Sequence, residues 1–405
     1  MRDKNIFQMM TMAGLLLFAS TIPISFVPGE FGVALAVLGW VGDGVVRKNW
    51  RLEWNPVFIP VAIYLGWNIL SAAVSVRPIH SVLAVGDNEW PVILMIMMLW
   101  TIDRESDLER MLRVFLVVSG VTMAYAVWQT FGGLELYRNM ALAPMEGYYR
   151  SVGFYSFYLT FAAFAMTVFF LSTGLMLEEQ GTRRRWYALV AILSLAAIVG
   201  SFARSIWLAL AVAAPLLGFT RGRKFGLITI GSLALLTVIL MLFVPAVQDR
   251  ILSILDLSQN ETRLNLWKTS LAMFWDKPLL GGGQDNFDYF FPLFKVPGFY
   301  DTTTHPHNDY LNVLVSSGLP GLLSYLWIWG VTLWTGFRTW KTAASPLLRG
   351  ASLGASLGLV GFLIGSLFQD YYGTFANCLG WWFVVGIVFA SFGLAKKEEL
   401  HGKTA

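Results

Sequence analysis

Cysteine is nearly absent. Cys378 is the only one in 405 residues, so an internal disulfide and a cysteine metal cluster are both excluded. Charge is scarce: Asp, Glu, Lys and Arg together make up 13% of the chain, against about a quarter in soluble domains. Histidine occurs four times, and no D-x-D metal motif occurs anywhere. What fills the space is apolar: 56% hydrophobic residues and a mean hydropathy of +0.60. That composition excludes a disordered chain, a coiled coil and a small secreted module. The net charge of +4 is spread thinly and gives no basic footprint for nucleic acid. Seventeen Trp and fourteen Tyr suit a chain with two bilayer interfaces to anchor.

A membrane-crossing helix needs about 20 apolar residues. Such runs lie near 6–28, 30–46, 56–76, 86–102, 112–131, 153–177, 186–203, 205–219, 225–246, 311–336, 351–370 and 374–395. The fold class expected is therefore all-α: a polytopic membrane protein of about 12 helices. The first run is too long for a cleaved signal core and reads as an uncleaved span. Basic residues divide across alternate connections. Twenty cluster at 2–4, 47–51, 104–113, 183–185, 221–224, 338–349 and 396–403. The other nine are Arg77, Arg138, Arg150, Arg204, Arg250, Arg263, Lys268, Lys277 and Lys295. The positive-inside rule then puts both termini in the cytoplasm. The one long polar connection faces out, to the periplasm in a Gram-negative cell. The organisation expected is spans 1–9 over 1–246, an outer helical loop over 247–310, and spans 10–12 with a cytoplasmic tail over 311–405. No nucleotide sugar is available outside, so chemistry there needs a substrate activated beforehand and bound to the membrane.

The outer loop carries the informative residues. In VQDRILSILDL, Val247, Ile251, Ile254 and Leu255 share one helical face suited to the membrane surface. Ser258 and Glu261 fit a capping box for a second helix. Leu264, Trp267, Leu271 and Phe274 continue it, and Pro278 with the glycines 281–283 ends it. GGGQDNF lacks the strand of a dinucleotide fingerprint and reads as a flexible turn. Arg263 falls in the first turn of the second helix, where the N-terminus favours phosphate; it is equally placed to snorkel at the interface. His305 and His307 stand where the chain re-enters the membrane. Two ligands are too few for a metal, leaving a solvated loop or a catalytic acid or base. Arg204, between two apolar runs, either anchors a span end or points into a wet cavity. His80 and His401 read as surface residues, and Cys378 as packing.

Three segments in order resemble the O-antigen ligase and polymerase superfamily: SFARSIWLAL, then TRLNLWKTSLAMFWDKPLLGGGQDNF, then HPHNDYLNVLVSSGLPGLL. They span roughly 190–330, and GYYRSVGF at 147–154 resembles a further family stretch. The resemblance implies a bacterial inner-membrane glycosyltransferase with a periplasmic active site. It implies a glycan donor on undecaprenyl diphosphate and, in the ligase branch that the chain most resembles, a lipid A–core sugar hydroxyl as acceptor. Arg204 and Arg263 match the family arginines that hold the diphosphate. His307 matches the functional histidine, with His305 the second choice. Asn308, Arg150 and Trp267 are secondary candidates. No metal and no cofactor is implied.

The chemistry is coherent without a metal. Two guanidiniums would stabilise the departing diphosphate, and a neutral His would take the acceptor proton, with inversion at the anomeric carbon. A covalent glycosyl-enzyme would need a placed carboxylate. Asp285, Asp288, Asp301 and Asp309 are available, and no spacing singles one out. The alternatives within the superfamily are an O-antigen polymerase and a protein O-oligosaccharyltransferase. The alternative from another class is a secondary transporter, which intramembrane charges and repeated halves would favour. The spans hold few charges, Asp43 and Asp370 lie near predicted ends, and no repeat is visible.

Overall fold

The computed structural model describes residues 5–48, 50, 52–256, 260–300 and 305–404. Arg2, Lys4 and Arg51 of the basic set, the expected cap Ser258, and Asp301 lie outside the described residues. Helices dominate. In chain order they are α1 (Ile6–Thr21), α2 (Phe26–Arg47), α3 (Phe58–Ala73), α4 (Pro78–Glu89), α5 (Val92–Thr101) and α6 (Glu105–Gly132). Two short antiparallel hairpins follow, β1 (Leu134–Glu135) with β2 (Met140–Ala141), and β3 (Pro144–Met145) with β4 (Tyr148–Tyr149). These two-residue strands depart from the all-α expectation. Then come α7 (Tyr158–Glu178), α8 (Gly181–Gly200), α9 (Arg204–Phe219), α10 (Arg223–Phe243), α11 (Pro245–Leu255), α12 (Glu261–Asp276) and α13 (Phe287–Phe294). The chain finishes with α14 (Asp309–Thr342), α15 (Pro346–Gly365) and α16 (Phe375–Thr404).

A helix lies at each of the twelve apolar runs. Among the described residues, eight are long and apolar enough to cross a membrane, counting α4 and α5 as one 24-residue segment. Helices α1, α3 and α9 are apolar but shorter, and α8 opens on three consecutive arginines. Several ends differ from the hydropathy reading. α2 starts at Phe26 and contains Pro28 in its first turn, where a missing N–H costs nothing. The segment from 78 is helical well before 86, and α16 continues through the charged tail to Thr404. Hydropathy marks the apolar stretch of a helix and not its polar ends.

Helices α7 and α15 form the centre. The apolar window of α7 is 89% buried, that of α10 only 6%, so α10 is peripheral. The central pair meets backbone to backbone: a Cβ on Gly174 would stand 2.5 Å from the Gly350 oxygen and the Gly354 nitrogen. Small residues permit this approach where apolar burial alone cannot drive helix association.

Helix α14 is broken at Gly318, whose φ of 67° and ψ of −170° are non-helical. The break frees carbonyls, and the glycine turn satisfies them. Gly282 N–H donates to the Val315 oxygen at 2.7 Å, and Gly283 N–H to the Ser316 oxygen at 2.9 Å. In return Leu319 N–H donates to the Pro278 oxygen at 2.9 Å. From α3, the Trp67 indole donates to the Ser317 oxygen at 2.9 Å and the Ser71 hydroxyl to the Ser316 oxygen at 2.8 Å. Gly281, Gly282 and Gly283 are all buried. The stretch read as a flexible turn is therefore a docked structural plug, because irregular backbone at a broken helix must find partners inside the protein.

Candidate active site: an arginine cluster beside a histidine pair

Arg204 begins α9 because the preceding turn is forced. Ser201 Oγ accepts from Ala203 N–H at 3.3 Å, and Phe202 takes a φ of 53°, in the left-handed region that a bulky residue rarely adopts. Phe202 is held there by burial, packed with Ala246 and Val247 of α11. Arg204 Nη1 donates to the Ser253 carbonyl at 2.8 Å and to its Oγ at 3.0 Å, which pins α11 across the start of α9. The apolar face of α11 thus turns onto the protein. Val247, Ile251 and Ile254 line a cavity of about 220 Å³ together with residues of α8, α9 and α10. That replaces the expectation of a helix lying free on the membrane surface.

Arg250 rides on the same helix. Its Nη2 donates to the Phe202 oxygen at 3.3 Å, while its Nε is buried without a partner. Burial, and then the neighbouring guanidiniums of Arg150, Arg204 and Arg263, push its pKa down to about 10. Arg150 sits with its guanidinium 4.1 Å from the Tyr158 ring centroid, and its Nε is likewise buried and unpartnered. Arg263 is the third residue of α12. With Arg204 it lines a second cavity of about 220 Å³, bounded by Ser205, Leu208, Ile254, Asn260, Leu264, Trp267 and Phe368. Among the described residues, none of these four arginines is ion-paired. Four mutually repelling cations with no counterion among the described residues are a charge pattern that suits a multivalent anion.

The histidines stand against this cluster. Trp267 donates its indole N–H to the Pro306 oxygen at 3.1 Å, so the residue between the two histidines is tied to α12. Asn308 caps α14: its Oδ1 accepts from Leu311 N–H at 3.0 Å and its Nδ2 donates to the Leu367 oxygen at 3.0 Å. His307, with a φ of 50°, is turned by this cap so that its Nδ1 meets Gln369 Oε1 at 3.2 Å. Its ring centroid is 4.3 Å from that of His305. Burial, then His305 and then Arg263 push the His307 pKa down to about 4; Gln369 and Asp370 pull the other way. His307 is therefore neutral near pH 7. With Nδ1–H donated to Gln369, Nε2, which has no hydrogen-bond partner among the described residues, is left as the proton acceptor.

The candidate arginines, histidines, Trp267 and Asn308 read from the sequence fall in this region. Arg204, Arg263 and Trp267 share the cavity, His305 and His307 adjoin it, Asn308 positions His307, and Arg150 is among the charges acting on Arg204 and Arg250. The free carboxylates fare differently. Asp288 pairs with Arg77 at 2.7 Å, Asp285 with His80 at 3.0 Å, and Asp309 is buried accepting the Tyr372 N–H at 3.0 Å. His80 is thus a tether of the 284–288 segment. Two groups escaped the sequence reading. Arg250 sits on α11, whose apolar face is its conspicuous feature in sequence. Gln369, with Asp370 and Tyr371, comes from the α15–α16 turn and has no signal in sequence beyond a polar break between apolar runs. Among the described residues, no group of three or more His, Cys, Asp or Glu side chains is placed to hold a metal ion.

Residues 189–326 match the family model described as O-Antigen ligase. The matched stretch contains Arg204, Arg250, Arg263 and both histidines. A teichuronic acid biosynthesis protein, TuaE of Bacillus subtilis (strain 168), is 23% identical over 145 residues, 35% of this chain and 28% of that protein. The alignment thus spans under a third of that relative's length.

Proposed function

We propose that the chain is an O-antigen ligase: a twelve-span enzyme of the bacterial inner membrane, both termini cytoplasmic, whose site faces the periplasm. It transfers a glycan from undecaprenyl diphosphate to a sugar hydroxyl of lipid A–core. The observation that carries this reading is a cluster of four arginines, not ion-paired among the described residues, with Arg263 set beside a neutral, half-buried histidine; Arg204, Arg250, Arg263 and that histidine lie within the segment that matches the O-antigen ligase model, and Arg150 lies before it.

The donor diphosphate lies in the cavity of Arg204 and Arg263, with Arg250 and Arg150 behind it. Its polyprenyl chain follows the apolar cavity under α11, which shares Leu208 and Ile254 with the arginine cavity. The acceptor oxygen attacks the anomeric carbon, the new C–O bond forms, and the bond from that carbon to the phosphate oxygen breaks. The hydroxyl proton passes to Nε2 of His307. The arginines stabilise the charge arriving on the diphosphate. His305 is the second candidate for the proton acceptor. No metal or cofactor is called on. One displacement inverts the anomeric centre.

The relative in teichuronic acid biosynthesis concerns a polysaccharide and not lipid A. It favours, as a second reading, extension of a polyprenyl-linked glycan by the same chemistry. The test is reconstituted transfer in EDTA with undecaprenyl-diphosphate glycan as donor and lipid A–core as acceptor, for wild type, His307→Ala, Arg204→Ala and Arg263→Ala. Product with wild type alone supports the ligase. A lengthened lipid-linked glycan in its place supports the polymerase. Full activity in folded His307→Ala moves the base to His305.

A further inference from the structure

A larger cavity, about 670 Å³, opens beside His305. Its wall includes His305, Asp370, Arg138 and the aromatic side chains of Tyr137, Phe157 and Phe375. The volume falls in the range of about 300–1,000 Å³ typical of sites for small organic ligands. Two features decide what it takes.

The first is charge. Arg138 is already spent: its Nε donates to Glu135 at 3.1 Å, its Nη1 to Ser156 Oγ at 2.8 Å, and its Nη2 to the Tyr155 carbonyl. Asp370 lies in the cavity wall, buried and held by Asp309, Asn312 Nδ2 at 3.1 Å and Gly373 N–H at 3.0 Å. One neutralised arginine and one carboxylate repel a phosphorylated ligand, whereas the arginine cavity attracts it. The second is the rim. Tyr137 is 81% exposed and Phe157 49% exposed, so two aromatic faces stand ready at the entrance. Flat apolar faces beside fixed donors and acceptors match a sugar, which has C–H faces and hydroxyl edges. The bland reading of such aromatics is an interfacial belt that anchors the bundle, and that reading predicts no effect on ligand affinity.

Resting on the glycosyl-transfer reading above, we infer that this cavity is the acceptor subsite and that it takes a neutral, non-phosphorylated glycan end. The histidine pair is then the partition between two chambers, cationic for the donor and neutral for the acceptor. A hydroxyl entering from the neutral chamber meets His305 on the wall, with the His307 ring centroid 4.3 Å from that of His305.

The test uses the full chain in nanodiscs. Binding of radiolabelled undecaprenyl diphosphate is measured first, then transfer with either lipid A–core or a lipid-linked neutral glycan as the varied acceptor. Tyr137→Ala and Phe157→Ala are each expected to raise the acceptor KM about tenfold, with kcat and undecaprenyl-diphosphate binding within twofold of wild type. Tyr137→Phe and Phe157→Trp restore the acceptor KM, which a mere loss of bulk at a membrane belt would not require. Unchanged acceptor KM in both alanine variants overturns the subsite. So does an equal rise in donor KM, or a wild type that binds undecaprenyl diphosphate yet uses an acceptor only when its reacting sugar is phosphorylated. If wild type binds no undecaprenyl diphosphate, the glycosyl-transfer reading itself falls, and the two failures stay distinct.

Discussion

Replacing Arg263 with Gln separates a functional cation from a structural one. Arg263 has no hydrogen bond or ion pair among the described residues, so the substitution strands no partner. It does remove one of four mutually repelling charges. Folding stability is therefore expected to hold or rise slightly, a direction opposite to that for a structural arginine. Catalysis is expected to fall. One fixed donor aimed at developing negative charge is worth about 10²–10³ in kcat, or roughly 3 kcal/mol. A second signature follows from His307, whose pKa stands at about 4 against an ordinary 6.5. Burial is the largest cause of that depression, His305 the next and Arg263 the third. Removing Arg263 leaves the first two, so the pKa rises only part of the way back toward its ordinary value. His307 must be neutral to take a proton, so activity is lost as pH falls through this pKa. The acid limb of kcat/KM, which reports on the free enzyme, must then move to higher pH in the variant. The assay is transfer against pH, with the thermal midpoint measured in parallel. Activity within threefold of wild type, together with an unmoved acid limb, would refute the placement of Arg263 beside both the anion and the histidine.

Other perturbations give equally definite outcomes. In wild type, kcat/KM should show no decline attributable to His307 between pH 8 and pH 6, because its pKa lies well below that window; a limb near 6.5 would mean an unburied imidazole. Gly318→Ala should destabilise by at least about 2 kcal/mol, since the φ is 67° and the new Cβ would meet the Leu279 oxygen at 2.2 Å. Gly330→Ala, with open space around it, is the neutral control in the same thermal assay. Trp267→Phe removes the N–H that holds Pro306 and should lower kcat about tenfold with little change in the thermal midpoint. Transfer should survive EDTA; loss on chelation and recovery with a divalent cation would refute the metal-free mechanism.

Much of this site is legible in the residues. Arg204 breaks an apolar run, Arg263 opens a helix after a polar stretch, and the His-x-His pair precedes an apolar re-entry. Such departures from pattern are where polar residues earn their place by function. Other parts were hidden for physical reasons. GGGQDNF has the composition of a loose turn, and only the freed carbonyls of Val315 and Ser316 make it a packed one. A sequence cannot announce that partner, because it depends on a break at Gly318 within an otherwise apolar run. Arg250 occupies the polar face of an amphipathic helix, where solvent is the default neighbour. Gln369 and Asp370 acquire their meaning from distance alone: 62 positions separate His307 from Gln369.

The plug at Gly318 also dictates an order of assembly. Trp67 and its carbonyl partner on Ser317 are 250 positions apart, so the ribosome delivers the donor long before the acceptor exists. During synthesis α3 can be threaded and parked, but the glycine turn has nothing to dock on until α14 emerges. The glycine turn therefore closes only after α14 has been made, while α3 is already in place. A nascent chain halted before residue 318 should be cut by protease in the 278–286 turn, and the finished chain should resist. Cutting that is equal in both would mean that the turn folds without α14.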